Sequence, residues 1–376
     1  MTDQAARRLV LHIGTEKTGT TSIQSALAGS RDDLARSGIV FPKCLGAFNH
    51  TKLVAASLDD GVVDNIKANI LAAGRFTERQ FRRKVRRRLQ REVSRHSGWR
   101  VLLVSSELIH SRLITQSEIE RLLAYFRPYV DDITIVLFLR RQDSLAMSRF
   151  SSALRAGYGS FNGIFSDIAE HYYLRSPPER LLDDLTHYYD YRNVIKRFTP
   201  LVGKSNIRVA VYSPAPQANI ERFFALAGIP AGLIRSPESA LNAALGVDAQ
   251  YAMSRINSLR KPWRSDGLRD QAVKSIYEAI ETELMGEPRR APRCEAKAFV
   301  DRFAESNEWV RANFFPDSER LFDDDFLMYP DDVDYSDLDE RLWEIGSEYL
   351  QRLDALESSR RRRWLPPFSL RAWRRA

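Results

Sequence analysis

Four near-continuous apolar runs are spaced along the chain, and each stops at a glycine or at polar and charged residues. The first, Leu9-Val10-Leu11-His12-Ile13, is entered from Arg8 and ends at Gly14; the second, Val101-Leu102-Leu103-Val104, runs into Ser105-Ser106-Glu107. The third, Ile133 to Leu139, runs into Arg140-Arg141, and the fourth, Ile207 to Tyr212, precedes the helical pattern IERFFALAGI. Runs of this length without alternation predict strands buried on both faces. Between them the period becomes helical: Ile23 and Leu27 share a face in the segment Thr20 to Ala28. From Thr77 to His96, Phe81, Val85, Leu89 and Val93 form one apolar stripe, Thr77 and Gln80 form a capping box, and Phe76 and Phe81 a hydrophobic staple. This predicts an amphipathic helix packed on the sheet, with its many arginines solvated. Buried strands alternating with helices predict an α/β fold, a central parallel sheet flanked by helices. Ligands of such sheets bind outside the carboxyl ends of the strands, which places Gly14, Glu107, Arg140 and Tyr212 on one edge.

Composition changes this picture little. At 44% hydrophobic and 28% charged the chain is an ordinary globular protein, and its 376 residues suffice for one large α/β domain or two smaller ones. Cys44 and Cys294 stand far apart without metal-ligand spacing, so neither a disulfide framework nor a metal centre is expected, and a reducing cytoplasm fits best. The apolar run after Arg7 and Arg8 is too short for a signal-peptide core, and no stretch approaches the ~20 apolar residues that span a bilayer.

Charge is informative through its location. Seven of the net eight positive charges lie in SSRRRRWLPPFSLRAWRRA, residues 358 to 376, which leaves the body near neutral. The expected organisation is a domain over 1–325, an acidic linker with a short amphipathic helix (Leu342 to Leu356) over 326–357, and a basic Arg/Trp tail over 358–376. Trp364, Phe368 and Trp373 among arginines suit a membrane surface or an anionic polymer, and a solubilising tail is the alternative.

The segment HIGTEKTGTTSIQSAL, from His12, holds the candidate chemistry. A loop between a buried strand and a helix offers backbone N–H groups at a positive dipole end, which suits a phosphate. Gly14 and Gly19 keep the Walker A spacing, yet Thr20 stands where its lysine belongs and Lys17 lies inside the loop.

Lys17-Thr18-Gly19-Thr20-Thr21 resembles the 5′-phosphosulfate-binding loop of the sulfotransferases that use 3′-phosphoadenylyl sulfate (PAPS), whose core reads K-x-G-T-T after a strand. The likeness is to the bacterial sulfotransferase-like branch whose loop begins H-I-G-x-x-K-T-G-T-T, and it implies a P-loop-NTPase-like sulfotransferase fold. It also implies that Lys17 stabilises the leaving phosphate oxygen, that Thr18 to Thr21 hold the 5′-phosphate, and that Arg140 with Ser148, eight residues on, holds the 3′-phosphate. Arg141 competes for the arginine's place but leaves the serine spacing off by one. IRVAVYSP with ALAGIP, and ANFFPDSERLF with ALNAAL, resemble later family segments, so the likeness covers most of residues 9 to 325. Two departures stand out: Ser22 replaces the tryptophan usual in cytosolic animal enzymes, and Arg260-Lys261-Pro262 lacks the glycine of their late R-K-G loop.

Transfer of a sulfuryl group needs a base for the acceptor. Glu107 occupies the place where related enzymes carry a histidine or glutamate; its other reading is a helix N-cap or ion-pair partner. His50, in the polar segment FNHTKL, is the rival, whereas His12 and His110 read as structural. The acceptor is expected to be a hydroxyl or amine of a glycan, lipid or small molecule, met by segments 42–75 and 155–185, where Tyr158, Phe161 and Tyr172-Tyr173 are candidates for stacking. A nucleotide kinase or NTPase is the alternative enzyme, opposed by the absent G-K-[ST]. A basic nucleic-acid- or surface-binding protein is the alternative from another class, and basic composition without stacking aromatics on strands argues against nucleic acid.

Overall fold

The computed structural model describes residues 6–62, 64–157, 185–233, 245–260, 270–334 and 338–364. Five parallel strands form one sheet: β1 (Arg8–His12), β2 (Ile39–Val40), β3 (Val101–Ser105), β4 (Asp132–Leu139) and β5 (Ile207–Val211), in the order β2-β3-β1-β4-β5. The α/β class and the parallel sheet flanked by helices are as expected. β2 is the element that hydrophobic runs do not reveal, because two residues are too few to carry a pattern.

Helices cover both faces. Helices α1 (Thr20–Gly29) and α2 (Arg31–Arg36) follow β1, and α10 (Pro216–Ala227) follows β5. Their Ile23, Leu27, Leu34, Ile220, Phe223 and Phe224 form one core with the strand residues Val10, Leu103, Val136 and Phe138. The connections through α3 (Thr51–Ser57), α4 (Asn65–Gly74), α5 (Glu78–Val93), α6 (Leu108–Arg112), α7 (Gln116–Ala124), α8 (Gln142–Arg155) and α9 (Tyr191–Val202) supply the other layer. There Leu9, Leu11, Leu102, Val104, Ile135 and Leu137 are fully buried. α5 is the predicted amphipathic helix: Phe81, Val85, Leu89 and Val93 are buried, and both bonds of the Thr77–Gln80 capping box form.

The strand order explains where a ligand belongs. The connection out of β1 returns to β2, beyond β3, while that out of β4 leads to β5 on the opposite side. Neighbouring strands whose connections diverge leave a crevice at their carboxyl ends. Register aligns these ends: His12 lies beside Ser105 of β3 and Val136 of β4, and Leu139 beside Val211 of β5.

The chain forms two compact units. One comprises Met1–Arg149, Tyr172–Ala243 and Arg293–Tyr329 and contains the sheet, together with α13 (Arg293–Asp301) and α14 (Ala304–Phe314); the other comprises Phe150–His171, Ala244–Pro292 and Pro330–Ala376. In the second unit α11 (Val247–Leu259), α12 (Gln271–Glu283) and α15 (Leu338–Trp364) pack together. α15 is longer than the expected 342–356 helix. It starts inside the acidic stretch and continues through Arg360 to Arg363, good helix formers, before Pro366-Pro367. Arg352 forks onto both oxygens of Glu283 at 2.6 and 2.7 Å, and Tyr349 donates to the same carboxylate. Residues 365–376, with Phe368 and Trp373, lie outside the described residues, as do Tyr158, Phe161, Tyr172, Tyr173, Lys261 and Pro262.

Candidate functional site

The loop from Ile13 to Gly19 is laid down by β4, which runs past the end of β1. Ile13 N–H donates to Val136 O, Phe138 N–H to Gly14 O and Thr15 N–H to Phe138 O, so the chain tracks the neighbouring strand before it turns. Two hydroxyls tighten the turn: Thr15 Oγ donates to Phe138 O at 3.1 Å, and Thr18 Oγ to Thr15 O at 2.6 Å. Thr18 was expected among the ligand-holding residues. Its buried hydroxyl is committed within the loop as a donor, so what it offers a ligand is its backbone N–H.

Lys17 occupies the left-handed region (φ 62°), where a side chain costs ~1–2 kcal/mol. Such a conformation persists where the surroundings over-determine it. Here Arg140 Nη1 grips Lys17 O at 2.9 Å. Gly19, at φ 75°, is the N-cap of α1, with no side-chain cap and no acid in the first turn. A helix so begun leaves its first amides without intrahelical acceptors, an anion site in waiting. Thr20 is buried at the start of α1 and Thr21 is exposed beside it.

Arg140 and Arg141, adjacent in sequence, have separate fates. Arg141 forks onto Asp143, with Nε and Nη2 each 2.9 Å from a carboxylate oxygen, and its Nη1 lies 2.6 Å from Asp323. Tyr329 OH also donates to Asp143. Arg140 turns the other way, to Lys17 O and to Ser144 Oγ (2.8 Å), and its guanidinium lies over the Tyr212 ring. Among the described residues no carboxylate pairs with it. Burial pushes the Arg140 pKa down, the cost of drawing a cation partly from water, and the nearby Tyr212, Tyr191 and Asp143 oppose that shift without forming an ion pair with it.

Ser148 is half-buried in α8, one turn beyond Ser144 on the same face. Ser144 is a site residue that sequence reasoning missed, although its place four residues after Arg140 is a readable signal. Asn219 was missed as well. It accepts from Ser213 N–H and donates to Ser213 O, fixing the chain after β5, where Tyr212 and Asn219 wall Gly19.

Glu107 stands at the N-cap position of α6, but its side chain makes no capping bond. Instead each carboxylate oxygen receives an amide N–H: Oε1 from Asn49 at 2.8 Å and Oε2 from Gln24 at 2.7 Å. Its backbone lies against the loop, for a β-carbon added at Gly14 would be 3.1 Å from Glu107 Cα. Burial raises the Glu107 pKa, with Glu16 adding to the rise; the bond from Gln24 and the charge of Lys17 oppose it. Glu16 is itself buried, and its Oε2 accepts from Tyr188 OH at 2.9 Å.

His50 was the rival base. Its ring is fully buried, Nδ1 accepts from Ser105 N–H at 3.2 Å, and the His50 backbone N–H donates to Ser105 O at 3.1 Å. Burial, with Arg31 nearby, lowers its pKa to about 3. A neutral ring whose basic nitrogen is already engaged anchors the chain at Asn49 rather than taking a proton from a ligand. His12 (pKa lowered to about 3 by burial) bonds Ser105 Oγ, and His110 bonds Tyr188 O, both inside the fold.

The loop, the start of α1, Arg140 and Glu107 therefore meet at one edge, and this arrangement can hold a phosphorylated ligand beside a carboxylate. Among the described residues no cluster suited to a metal ion occurs, and no helix is long and apolar enough to cross a membrane.

No protein-family model matches this chain, and no curated protein resembles it at a significant level. Two solved structures are similar in fold. A sulfotransferase from Alicyclobacillus acidocaldarius is 15% identical, with 82% of this chain and 96% of that one covered and a TM-score of 0.44. The sulfotransferase domain from the curacin biosynthetic pathway is 11% identical, with 80% and 96% covered and a TM-score of 0.35.

Proposed function

We propose that the protein is a sulfotransferase that moves a sulfuryl group from PAPS to a hydroxyl or amine acceptor. The observation that carries this reading is Arg140: a half-buried guanidinium at the crevice, with no carboxylate bonded to it among the described residues, fixed on the loop before α1 while its neighbour Arg141 takes the acids. A cation kept in that state is poised for an anion supplied from outside.

In this reading the amides of Thr18 to Thr21 and the start of α1 hold the 5′-phosphate, and Arg140 with Ser148 holds the 3′-phosphate. Ser144 orients Arg140. The acceptor oxygen or nitrogen attacks sulfur in line, the sulfur–oxygen bond to the phosphate breaks, and Lys17 stabilises charge on the departing oxygen. Glu107 takes the acceptor's proton. No step requires a metal. The acceptor class, a glycan, lipid or small molecule, follows only from the chemistry of the transferred group. The basic tail over 358–376 is assigned an ancillary contact with an anionic surface, and the cytoplasm is the compartment proposed.

Calorimetric titration with 3′,5′-adenosine bisphosphate and with 5′-AMP tests the donor assignment: the bisphosphate binds far more tightly, and Arg140→Ala removes the difference. Equal affinities overturn it, and magnesium-dependent ATP turnover would put a kinase or NTPase in its place. Transfer of radiolabelled sulfate from PAPS to a whole-cell extract of the source organism then identifies the acceptor.

A further inference from the structure

The hydrogen bonds around Glu107 are arranged for more than burial. Gln24 lies on α1, the helix that begins at the phosphate loop, and Asn49 precedes α3 in the opposite layer. Both bring their amide N–H groups to Glu107, one to each oxygen. Neither amide is at liberty to rotate away. Asn49 Oδ1 accepts from Ser106 Oγ at 2.6 Å, which turns Nδ2 toward Glu107, and the backbone bonds of His50 to Ser105 hold that segment against β3. Gln24 Nε2 also reaches Ser105 Oγ at 3.3 Å, and that hydroxyl is paired with His12 Nδ1.

We propose that Gln24 and Asn49 are positioning residues for the reaction, a two-amide clamp that holds Glu107 ionised and aimed as the base. The proposal rests on the reading of Glu107 as the proton acceptor. An ionised carboxylate only accepts, so two N–H donors favour it over the acid form, and each oxygen keeps a lone pair for the acceptor's proton. The charged groups facing Glu107 are Glu16 and Lys17, of opposite sign, while His12 and His50 behind it are neutral. With the charges partly offsetting each other, hydrogen bonds counter the burial, that of Gln24 and that of the Glu107 backbone N–H among them. Because Gln24 sits in α1, the base and the helix that binds the donor are held by one element.

The test needs no identified acceptor. The Glu107 carboxyl is titrated by NMR in full-length protein labelled at glutamate carboxyls, its signal assigned by its loss in Glu107→Gln. Asn49→Ala and Gln24→Ala each move its titration upward by about one unit or more, as expected for losing one hydrogen bond to a charged group. Both variants still bind 3′,5′-adenosine bisphosphate like the parent, which shows that the fold and donor site persist. Asn49→Asp, nearly the same shape without the N–H, moves the titration at least as far. An unmoved titration in the alanine variants overturns the clamp. Upward movement together with undiminished sulfate transfer to the whole-cell extract by Glu107→Gln overturns the base assignment instead, and the clamp's part in the reaction with it.

Discussion

Replacing Arg140 by methionine separates binding from folding. Arg140 makes two hydrogen bonds in the free protein, to Lys17 O and Ser144 Oγ, and stacks on Tyr212. Those contacts contribute ~1 kcal/mol each, against a desolvation penalty of about 2–3 kcal/mol for a half-buried cation with no ion pair. Methionine removes both sides of that balance, so the stability of the free protein should change by only about 1 kcal/mol. A bound 3′-phosphate is different, because the fork supplies charge-assisted bonds of ~1.5–3 kcal/mol each. Two such bonds supply ~3–6 kcal/mol, and less the ~2 kcal/mol of the two bonds Arg140 gives up they leave about 1–4 kcal/mol, centred on roughly a hundredfold weaker complex. In a thermal-shift assay with 3′,5′-adenosine bisphosphate at about 100 times the parent's Kd, the parent gains ~2.7 kcal/mol, and a variant weakened a hundredfold gains only ~0.4 kcal/mol. The expected result is a similar melting temperature without nucleotide and a nearly abolished shift with it. A variant that keeps the parent's full shift would refute the phosphate role of Arg140, and with it the observation on which the proposed function stands.

Other outcomes follow from the same geometry. Glu107→Gln should lower transfer by ~10²–10⁴-fold with unchanged nucleotide affinity. Because the Glu107 pKa is raised, the parent's rate should fall as pH drops through a value above the ordinary carboxylate range, the reactive ionised form being present only above it. Arg141→Ala, which breaks the buried pair with Asp143, should cost ~3 kcal/mol in denaturant unfolding and leave 3′,5′-adenosine bisphosphate affinity within a few-fold. Gly14→Ala should destabilise by more than Gly19→Ala: both sit at positive φ, but an added carbon at Gly14 presses on the Glu107 backbone at 3.1 Å, whereas at Gly19 it meets only side chains at 3.4 Å and beyond. His12 and His50, each with a pKa of about 3 in the fold, bind protons more readily in the unfolded chain. Their stabilising effect is complete above about pH 6.5 and is lost as pH falls toward 3, at ~2.7 kcal/mol per pH unit for the pair; His50→Gln should take ~1.4 kcal/mol per pH unit off the slope of stability against pH in that window.

The apolar runs at Leu9, Val101, Ile133 and Ile207 were enough to specify parallel strands, since a strand covered on both faces must be apolar throughout. The glycine loop was equally legible, because positive φ at Gly14 and Gly19 leaves few other residues possible there. The amphipathic helix over 78–93 carried its own start signal in the Thr77–Gln80 box. Local chemistry of this kind acts over a few residues and so is written in the order of the chain.

Serine spacing favoured Arg140 over Arg141, but the contacts that separate the two were not written in the sequence. Arg140 and Arg141 differ by one position, and only the sheet sends one toward Lys17 and Ser144 and the other toward Asp143 and Asp323, 182 residues away in the chain. Glu107 was the expected base and His50 its rival; the fold buries the histidine ring against Ser105 and brings Gln24 and Asn49 to the glutamate. The amides that bond the Glu107 carboxylate are separated from it by 58 and 83 residues, and no periodicity encodes such distances. By itself the sequence determined a parallel sheet and a glycine loop that carries a lysine between its two glycines. Tertiary structure alone decided which arginine forms no ion pair among the described residues and which acid is held by two amides, because both depend on groups that meet only when β1, β3 and β4 lie side by side.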